Sequence, residues 1–260
     1  MKIKNIIVLA LAVFSYQFSY AQNKHFPTQG TIEFEKKVNM YALIKEMIKK
    51  YPSDASWYTP IFEQYQKTNP QFKTLKSTLT FGKEQTLFTP IEETVPQNNY
   101  FGNFPGVEQG NTIHTNTAVM TSTSQKKVYE ELYLVKDNTR KINWKITNEI
   151  RNIAGYDCRR ANALIMDSVY VVAFYTDQIP VSGGPESFTG LPGMILGVAL
   201  PYEHMTWFAT KITEVAISDD KLKVPVKGKA VNNNGLLSIL KSALKDRNNG
   251  GRDELKGFML

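Results

Sequence analysis

The sequence has very little cysteine: Cys158 is the only one. A single cysteine excludes an internal disulfide, and no Cys-x-x-Cys pair is present to hold zinc or to carry redox chemistry. We therefore expect packing, and not cross-links, to stabilise the fold. We interpret Cys158 as a small buried apolar residue, and a reactive thiol is the alternative.

Histidine is also scarce, and the three histidines, His25, His114 and His204, show no His-x-His or His-x-x-x-His spacing. The sequence therefore predicts no zinc site, and it indicates no cofactor. Cys158, His204 and Met205 offer the soft ligands that suit Cu(I), which leaves a soft-metal carrier as one alternative function.

Catalytic motifs are missing as well. The sequence has no Gly-x-Ser-x-Gly nucleophile elbow, so nothing in the spacing singles out Ser182, His204 and Asp177 as a catalytic set. We predict no catalytic residues. A hydrolase that uses Asp177 or Ser182 is kept as the rival hypothesis.

No apolar run reaches the ~20 residues that a membrane-spanning helix needs. The first residues instead have the pattern of an export signal, with Lys2 and Lys4, an apolar core over 6–14 and a small-x-small site ending at Ala21. A short membrane anchor is the alternative. Because Gln22 and not cysteine follows the cut, no lipidation site is predicted. We expect a soluble periplasmic or secreted product of 239 residues (260 − 21).

Blocks of like charge are absent too. The formal charge is +7, and loss of the two signal lysines lowers it to +5 (29 basic minus 24 acidic residues). The charges are dispersed, so nucleic-acid binding is not predicted. A moderate positive surplus suits a protein that works near anionic lipid or polysaccharide surfaces.

The periodicity of apolar residues predicts the fold class. GTIEFEKKVNM alternates, with Ile32, Phe34 and Lys36 on one face, which indicates a strand covered on one side. Residues 40–68 then follow the period of a helix and are predicted as a helical insert. Its aromatic residues either pack the insert onto the sheet or form a ligand platform.

Short runs of β-branched and aromatic residues, among them 127–135 and 221–226, predict about ten strands in all. Few helices separate these strands, so a parallel sheet is excluded and an antiparallel meander remains. The predicted fold class is α+β, mainly β: a curved antiparallel meander sheet or partly open barrel, with a helical insert near the N-terminus and a C-terminal helix.

One domain is predicted over residues 22–250. Within it, residues 92–115 are rich in Gly, Pro and Asn and lack periodicity, which predicts a long loop and a candidate lid. A stripe of leucines after an Asn run predicts the C-terminal helix, which Gly250-Gly251 closes. Residues 251–260 are predicted to be a flexible tail.

From Gly155 onward, the segments IAGYDCRRANALI and YVVAFYTDQIPVSGGPESFTGLPGMILGV resemble the GLPGLI family of exported Bacteroidetes proteins of unknown function. The matching residues are Gly155, Tyr156, Cys158, Arg159, Ala161, Tyr175, Ile179, Pro180, Gly184, Pro185, Gly190, Leu191, Pro192, Gly193 and Ile195. Met194 stands where leucine is usual, the helical insert is longer than expected, and Glu186-Ser187-Phe188 replaces an aromatic-led sequence. The resemblance implies an envelope or secreted location and a mostly antiparallel fold, but no activity.

The stretch PVSGGPESFTGLPG combines glycines that reach positive φ with prolines that fix φ. It is either a rigid structural corner or a binding loop, and no helix follows to make it a phosphate loop. If it binds, the candidate residues are Asp177, Pro180, Gly184, Pro185, Gly190, Leu191, Pro192, Gly193 and Arg159. One of Arg159 and Arg160 is also a candidate partner of Asp177 across the sheet, with a solvated or locally paired arginine as the alternative.

We predict a non-enzymatic periplasmic binding or accessory subunit, associated with an outer-membrane transport system. Its expected partners are an outer-membrane or envelope protein, or an apolar small molecule or peptide. A curved sheet covered by helices can enclose an apolar cleft, which is the usual setting for such a ligand.

Overall fold

The computed structural model describes residues 26–92, 101, 104–108, 110–245 and 250–260. The predicted export signal, residues 1–21, lies outside this range. So do parts of the predicted loop 92–115, and a lid at that loop stays a prediction. The described part of the loop contains a short helix and the start of a strand.

Twelve strands of the described residues form one sheet. In chain order they are β1 (Gly30–Asn39), β2 (Phe72–Gly82), β3 (Gln85–Pro90), β4 (Thr112–Asn116), β5 (Thr121–Val128), β6 (Glu131–Asn138), β7 (Lys145–Ile153), β8 (Tyr156–Ile165), β9 (Val169–Thr176), β10 (Met194–Leu200), β11 (Met205–Glu214) and β12 (Lys229–Val231).

The sheet consists of two meanders, β1 to β6 and β7 to β11, in the order β12-β6-β5-β4-β3-β2-β1-β11-β10-β9-β8-β7. They join where β1 pairs antiparallel with β11. The sheet is open, and β12 on β6 is its parallel pair. The predicted fold class is confirmed, with this short parallel strand as an addition.

Strand β1 lies between the two meanders and shows why the sheet has a covered face. Ile32, Phe34, Lys36 and Val38 are buried, whereas the residues between them are more exposed. We call the face that carries these four side chains the inner face. Its alternation confirms the strand predicted from the sequence.

Five α-helices accompany the sheet in the described residues. They are α1 (Met40–Lys50), α2 (Ala55–Thr68), α3 (Pro105–Glu108), α4 (Asn233–Ala243) and α5 (Gly250–Met259), with 3₁₀ turns at Pro52–Asp54, Pro201–Glu203 and Asp219–Leu222. The first two form the predicted insert, and α1 is capped by the Asn39 side chain, which accepts from the Ala42 N–H. Ile44, Phe62 and Tyr65 join the main core, so the insert packs onto the sheet.

The C-terminal part differs from the prediction. Helix α4 begins as expected, with the Asn232 side chain accepting from the Gly235 N–H. Residues 251–260, however, belong to α5 and its end and not to an irregular tail, and Phe258 and Leu260 are buried. The physical reason is tertiary: these two apolar side chains find places in the two cores, which the local sequence does not reveal.

None of the helices in the described ranges is both long enough and apolar enough to cross a membrane.

Replacement of Phe34 by Ala should lower the free energy of unfolding by about 3–5 kcal/mol, because the ring is fully buried on the inner face of the central strand. Chemical denaturation measures this change. Lys37→Ala is the matched control on the exposed face of the same strand. It loses one surface ion pair with Glu35 and should change stability by less than about 1 kcal/mol. Equal effects of the two changes would contradict the assigned faces.

Candidate functional site

Residues 177–193 connect β9 to β10, and we call them the corner segment. A connection of this length usually runs over the surface, but here much of it packs inside the molecule. Ile179 is 0%, Phe188 1% and Leu191 2% exposed. Phe188 lies against Trp207 of β11, with ring centroids 6.3 Å apart. The segment is therefore part of the main core.

Hydrogen bonds fix the corner segment to β10 and to itself. Met194 N–H donates to the Ile179 carbonyl at 3.0 Å, and Ile195 N–H donates to the Gly183 carbonyl at 2.8 Å. The Thr189 hydroxyl donates to the Ser182 carbonyl at 2.9 Å. These bonds hold both arms of the segment in place. Trp144, which precedes β7, also binds the segment: its Nε1 donates to the Thr189 carbonyl at 2.9 Å.

Two glycines allow this close packing. A Cβ on Gly193 would lie 2.1 Å from the Thr176 carbonyl oxygen, and its φ of +144° is unfavourable for other residues. A Cβ on Gly184 would lie 2.8 Å from both Ile195 Cβ and the Phe188 carbonyl oxygen. The glycine pattern in the sequence thus reflects backbone approach within the fold.

The nine candidate binding residues divide into two groups. Gly184, Pro185, Leu191 and Gly193 are buried, whereas Asp177, Pro180, Gly190, Pro192 and Arg159 are exposed. The exposed members of the corner segment, Asp177, Pro180, Gly190 and Pro192, are called the rim below. Arg159 lies on β8 opposite Tyr175 of β9, two residues before Asp177.

Within the described residues, neither Arg159 nor Arg160 forms the candidate ion pair with Asp177, and the alternative of a solvated or locally paired arginine holds. Arg159 is exposed. Its neighbour Arg160 is the paired arginine: Nη1 lies 2.6 Å from Glu149 Oε2, and Nε donates to Asn162 Oδ1 at 3.0 Å. Glu149 lies within an irregular stretch of β7, where the register with β8 shifts between Ile146 and Ile150. This irregularity brings the carboxylate to Arg160.

The residues of the rival hydrolase lie apart. Asp177 follows Thr176, and Thr176 lies opposite Met194 at the start of β10. His204 precedes Met205, and Met205 lies opposite Leu200 at the end of β10. Met194 and Leu200 are six residue steps apart on β10, a distance of about 20 Å along the strand. Within the described residues, His204 Nε2 lies instead 3.0 Å from Glu46 Oε1. The geometry therefore does not assemble Ser182, His204 and Asp177.

The soft-metal alternative fails on the same register. Cys158 lies on β8, one position before Arg159, near the Thr176 end of β9. His204 and Met205 lie at the Leu200 end of β10. No group of three or more His, Cys, Asp or Glu residues in the described ranges could hold a metal ion. Cys158 itself is 0% exposed, and its thiol donates to the Tyr156 carbonyl at 3.4 Å.

A buried group of charges adjoins the corner segment, and sequence reasoning missed it. Glu186 is 7% exposed and accepts from Asn111 Nδ2 at 3.0 Å. Burial raises the pKa of its carboxyl group, and the nearby charges of Lys36 and Lys126 oppose that rise. Lys36 donates to the carbonyl of Val107 at 2.9 Å. Burial also lowers the pKa of Lys126 to about 8.

One sequence signal pointed to this group: Lys36 shares the alternation of Ile32 and Phe34, which places a charge on the covered face. A second was Glu186 itself, which departs from the aromatic residue that the resemblance led us to expect. Its φ of +52° is uncommon for a residue with a side chain. Burial of a carboxylate requires nearby cations, and the fold supplies them from β1 and β5.

Comparison with protein families gives one match. Residues 164–197 match the family model Porph_ging, described as a protein of unknown function. The match covers β9, the corner segment and the start of β10, within the stretch that resembles the GLPGLI family. The GLPGLI name itself is not confirmed. No curated protein matches the chain.

Comparison with solved structures gives PNGF-II. Its structures in the P21 and C2 space groups have TM-scores of 0.48 and 0.51 at 16% and 13% identity. They cover 78% and 79% of this chain, but only 32% and 31% of PNGF-II. The chain therefore spans about a third of the length of the structures that it matches, and the C2 likeness indicates a similar fold.

Replacement of Gly193 by Ala should destabilise the protein by about 2–5 kcal/mol, because the new methyl group meets the Thr176 carbonyl oxygen in addition to the strain at positive φ. Gly155→Ala is the matched control, since that glycine also has positive φ but no neighbour within 4 Å. Its cost should be about 1–2 kcal/mol. Thermal unfolding of both variants measures the difference. Equal destabilisation by the two changes would show that the corner segment can shift to accommodate the new methyl group.

Cys158 should resist thiol reagents in the folded protein. Burial raises the pKa of the thiol to about 12, so at pH 8 the reactive thiolate is about a thousandfold rarer than for a thiol near 9. Labelling should follow unfolding in urea. Leu164→Cys in a Cys158→Ala background, exposed on the same strand, is the control and should react at once. Fast labelling of native Cys158 would contradict its interpretation as an inert core residue.

Proposed function

We propose that the chain is a non-catalytic binding or accessory protein of the cell envelope, exported to the periplasm or beyond and associated with an outer-membrane transport system. The burial of the corner segment carries this proposal. Its Ser182 and Thr189 hydroxyl groups bond within the segment, and Ile179, Phe188 and Leu191 serve the core. The segment therefore braces the fold and leaves its rim for contact with a partner.

The fold offers a contact surface next to the rim. Trp144 lies beside Gly190, since a Cβ on that glycine would be 3.6 Å from the indole nitrogen. From Trp144 the chain enters β7, the edge strand, on which Ile150 is 65% exposed. An edge strand presents unpaired backbone groups, and recognition by strand addition uses them. A partner protein is the occupant that suits a rim and an edge strand together.

The likeness to PNGF-II supports an accessory role at the level of the fold. A similar arrangement occupies about a third of that longer protein, so the fold occurs there as one part of a longer chain. By analogy, we expect this chain to act beside another unit, here a separate envelope protein.

One observation favours an enzyme as the second candidate. Glu186 and Lys126 have shifted pKa values near a cavity, which is a common feature of active sites. Glu186 does not line that cavity, however, and the cavity measures only about 40 Å³. Sites that enclose a whole small molecule measure roughly 300–1,000 Å³. The cavity also does not suit the predicted apolar ligand. It is too small for a whole molecule, and most of the side chains that line it are polar.

Photo-crosslinking in cells tests the partner contact. A photoreactive amino acid replaces Pro180 or Pro192 on the rim, in the chain with its own N-terminal segment. Both positions should give an adduct with the same envelope protein. Val226, which is 79% exposed on a distant loop, is the control position and should not give that adduct. No adduct from the rim, or the same adducts from Val226, would overturn the proposed contact.

A further inference from the structure

A small polar cavity lies where strands β4, β5 and β6 approach the corner segment and α5. Its volume is about 40 Å³. Hydroxyl groups and two cationic side chains share its wall: Thr115, Ser122, Ser124, Ser187, Lys126 and Arg140.

Strand alternation builds this wall. Ser122, Ser124 and Lys126 are two residues apart on β5, so their side chains project from the same face. Thr115 of β4 lies directly opposite Ser122. Elsewhere the inner face carries apolar side chains such as Phe34, but here three adjacent strands present polar groups toward the interior. The sequence TSTSQKK carries this pattern.

Arg140 and Lys126 each have more N–H donors than the hydrogen bonds described for them. Arg140 Nη2 donates to the Met259 carbonyl, but its Nη1 is fully buried and has no hydrogen-bond partner among the described residues. Lys126 Nζ donates to the Phe258 carbonyl at 3.2 Å, and an ammonium group has three donors. A buried guanidinium N–H without an acceptor is rare, and an unseen water or ion commonly explains it.

The acidic groups nearby are already engaged. Asp137 Oδ1 accepts from the Asn138 N–H at 2.8 Å, and Oδ2 accepts from the Asn233 N–H at 3.0 Å at the start of α4. Glu186 accepts from Asn111. Lys126 lies near the Glu186 carboxylate, whereas Nη1 of Arg140 has no acceptor among the described residues.

We propose that this cavity binds a tetrahedral oxyanion, a sulfate or phosphate group. Guanidinium and ammonium groups bind such oxyanions through charge-assisted hydrogen bonds. Hydroxyl groups, as in Ser122 and Ser124, add further donors. The site is independent of the partner contact proposed above, which involves the rim and β7.

The dimensions suit an anionic group and not a whole organic ligand. A volume of about 40 Å³ is roughly three times the minimum for one water molecule. The wall also includes Asn138 and Asn233, which are exposed, so the cavity reaches the surface. A free anion fills it, or a monoester places its charged group inside and its remainder in solvent.

Calorimetric titration of the purified exported chain tests the site. Inorganic phosphate and inorganic sulfate are titrated separately at constant ionic strength, with chloride as the background salt. We expect saturable binding of at least one of them at a single site. Methyl phosphate and methyl sulfate then distinguish the source: binding of the esters indicates a group on a larger molecule, whereas binding of the inorganic ions alone indicates a free anion. Either result supports the proposal.

Three variants locate the site. Arg140→Gln should weaken binding about tenfold or more, because a charge-assisted hydrogen bond is lost. Ser122→Ala is a milder change for the case in which Arg140→Gln fails to fold, and it should weaken binding severalfold. Lys127→Gln, exposed on the opposite face of β5, is the matched control and should bind as the unaltered chain does.

Absence of saturable binding to the unaltered chain would overturn the proposal, and the two cations would then serve only the carbonyl groups at the end of α5. Equal weakening by Lys127→Gln and Arg140→Gln would also overturn it, because that result indicates general attraction by surface charge. So would undiminished binding to Ser122→Ala.

Discussion

The packing of residues 177–193 against the inner face of the sheet is the constraint on which the rest of the structure depends. Among the strands of the described residues, β1 and β11 are the pair that joins the two meanders. The corner segment contacts both meanders. Gly183 approaches Thr86 of β3 in the first meander, and Phe188 meets Trp207 of β11 in the second. Full burial of a side chain such as Phe188 stabilises a fold by about 1.5–3 kcal/mol. Since Ile179 and Leu191 are buried as well, the segment acts as a brace between the meanders.

The same packing explains why charges lie inside the molecule. Glu186 enters the interior with the corner segment, and a buried carboxylate is tolerated only beside cations and hydrogen-bond donors. Lys36 of β1 and Lys126 of β5 face it from the sheet, and Asn111 donates to it. The inner face is therefore divided. It is apolar near β1 and β9 to β11, whereas over β4 to β6 polar groups lie beside a smaller apolar core that includes Val128, Tyr133 and Val135. The proposed oxyanion site lies in the polar part, at its border with the corner segment and α5.

Local sequence patterns were sufficient for the framework, because they depend on neighbours along the chain. Alternation identified β1, the change of period identified the insert, and the Asn run identified the start of α4. Local patterns failed where a turn lacks the residues that usually mark it. Residues 127–135 were predicted as one strand, but the chain turns at Tyr129, which has a φ of +54°. Strands β5 and β6 form a hairpin on either side of this turn. Residues 221–226 were predicted as a strand, but the structure has a 3₁₀ turn at Asp219–Leu222 and then β12 at Lys229–Val231. The buried charges joined residues as distant as Lys36 and Glu186, and no local pattern relates them.

Native-state amide hydrogen exchange tests the brace most directly. The amides of Met194 and Ile195 donate to carbonyl groups of the corner segment. If the segment is part of the core, both amides should exchange only by global unfolding, with the same protection as the amides of β1. Exchange of these two amides at the rate of an exposed loop, while β1 stays protected, would show that the segment opens independently, and this would contradict its role as the brace of the fold.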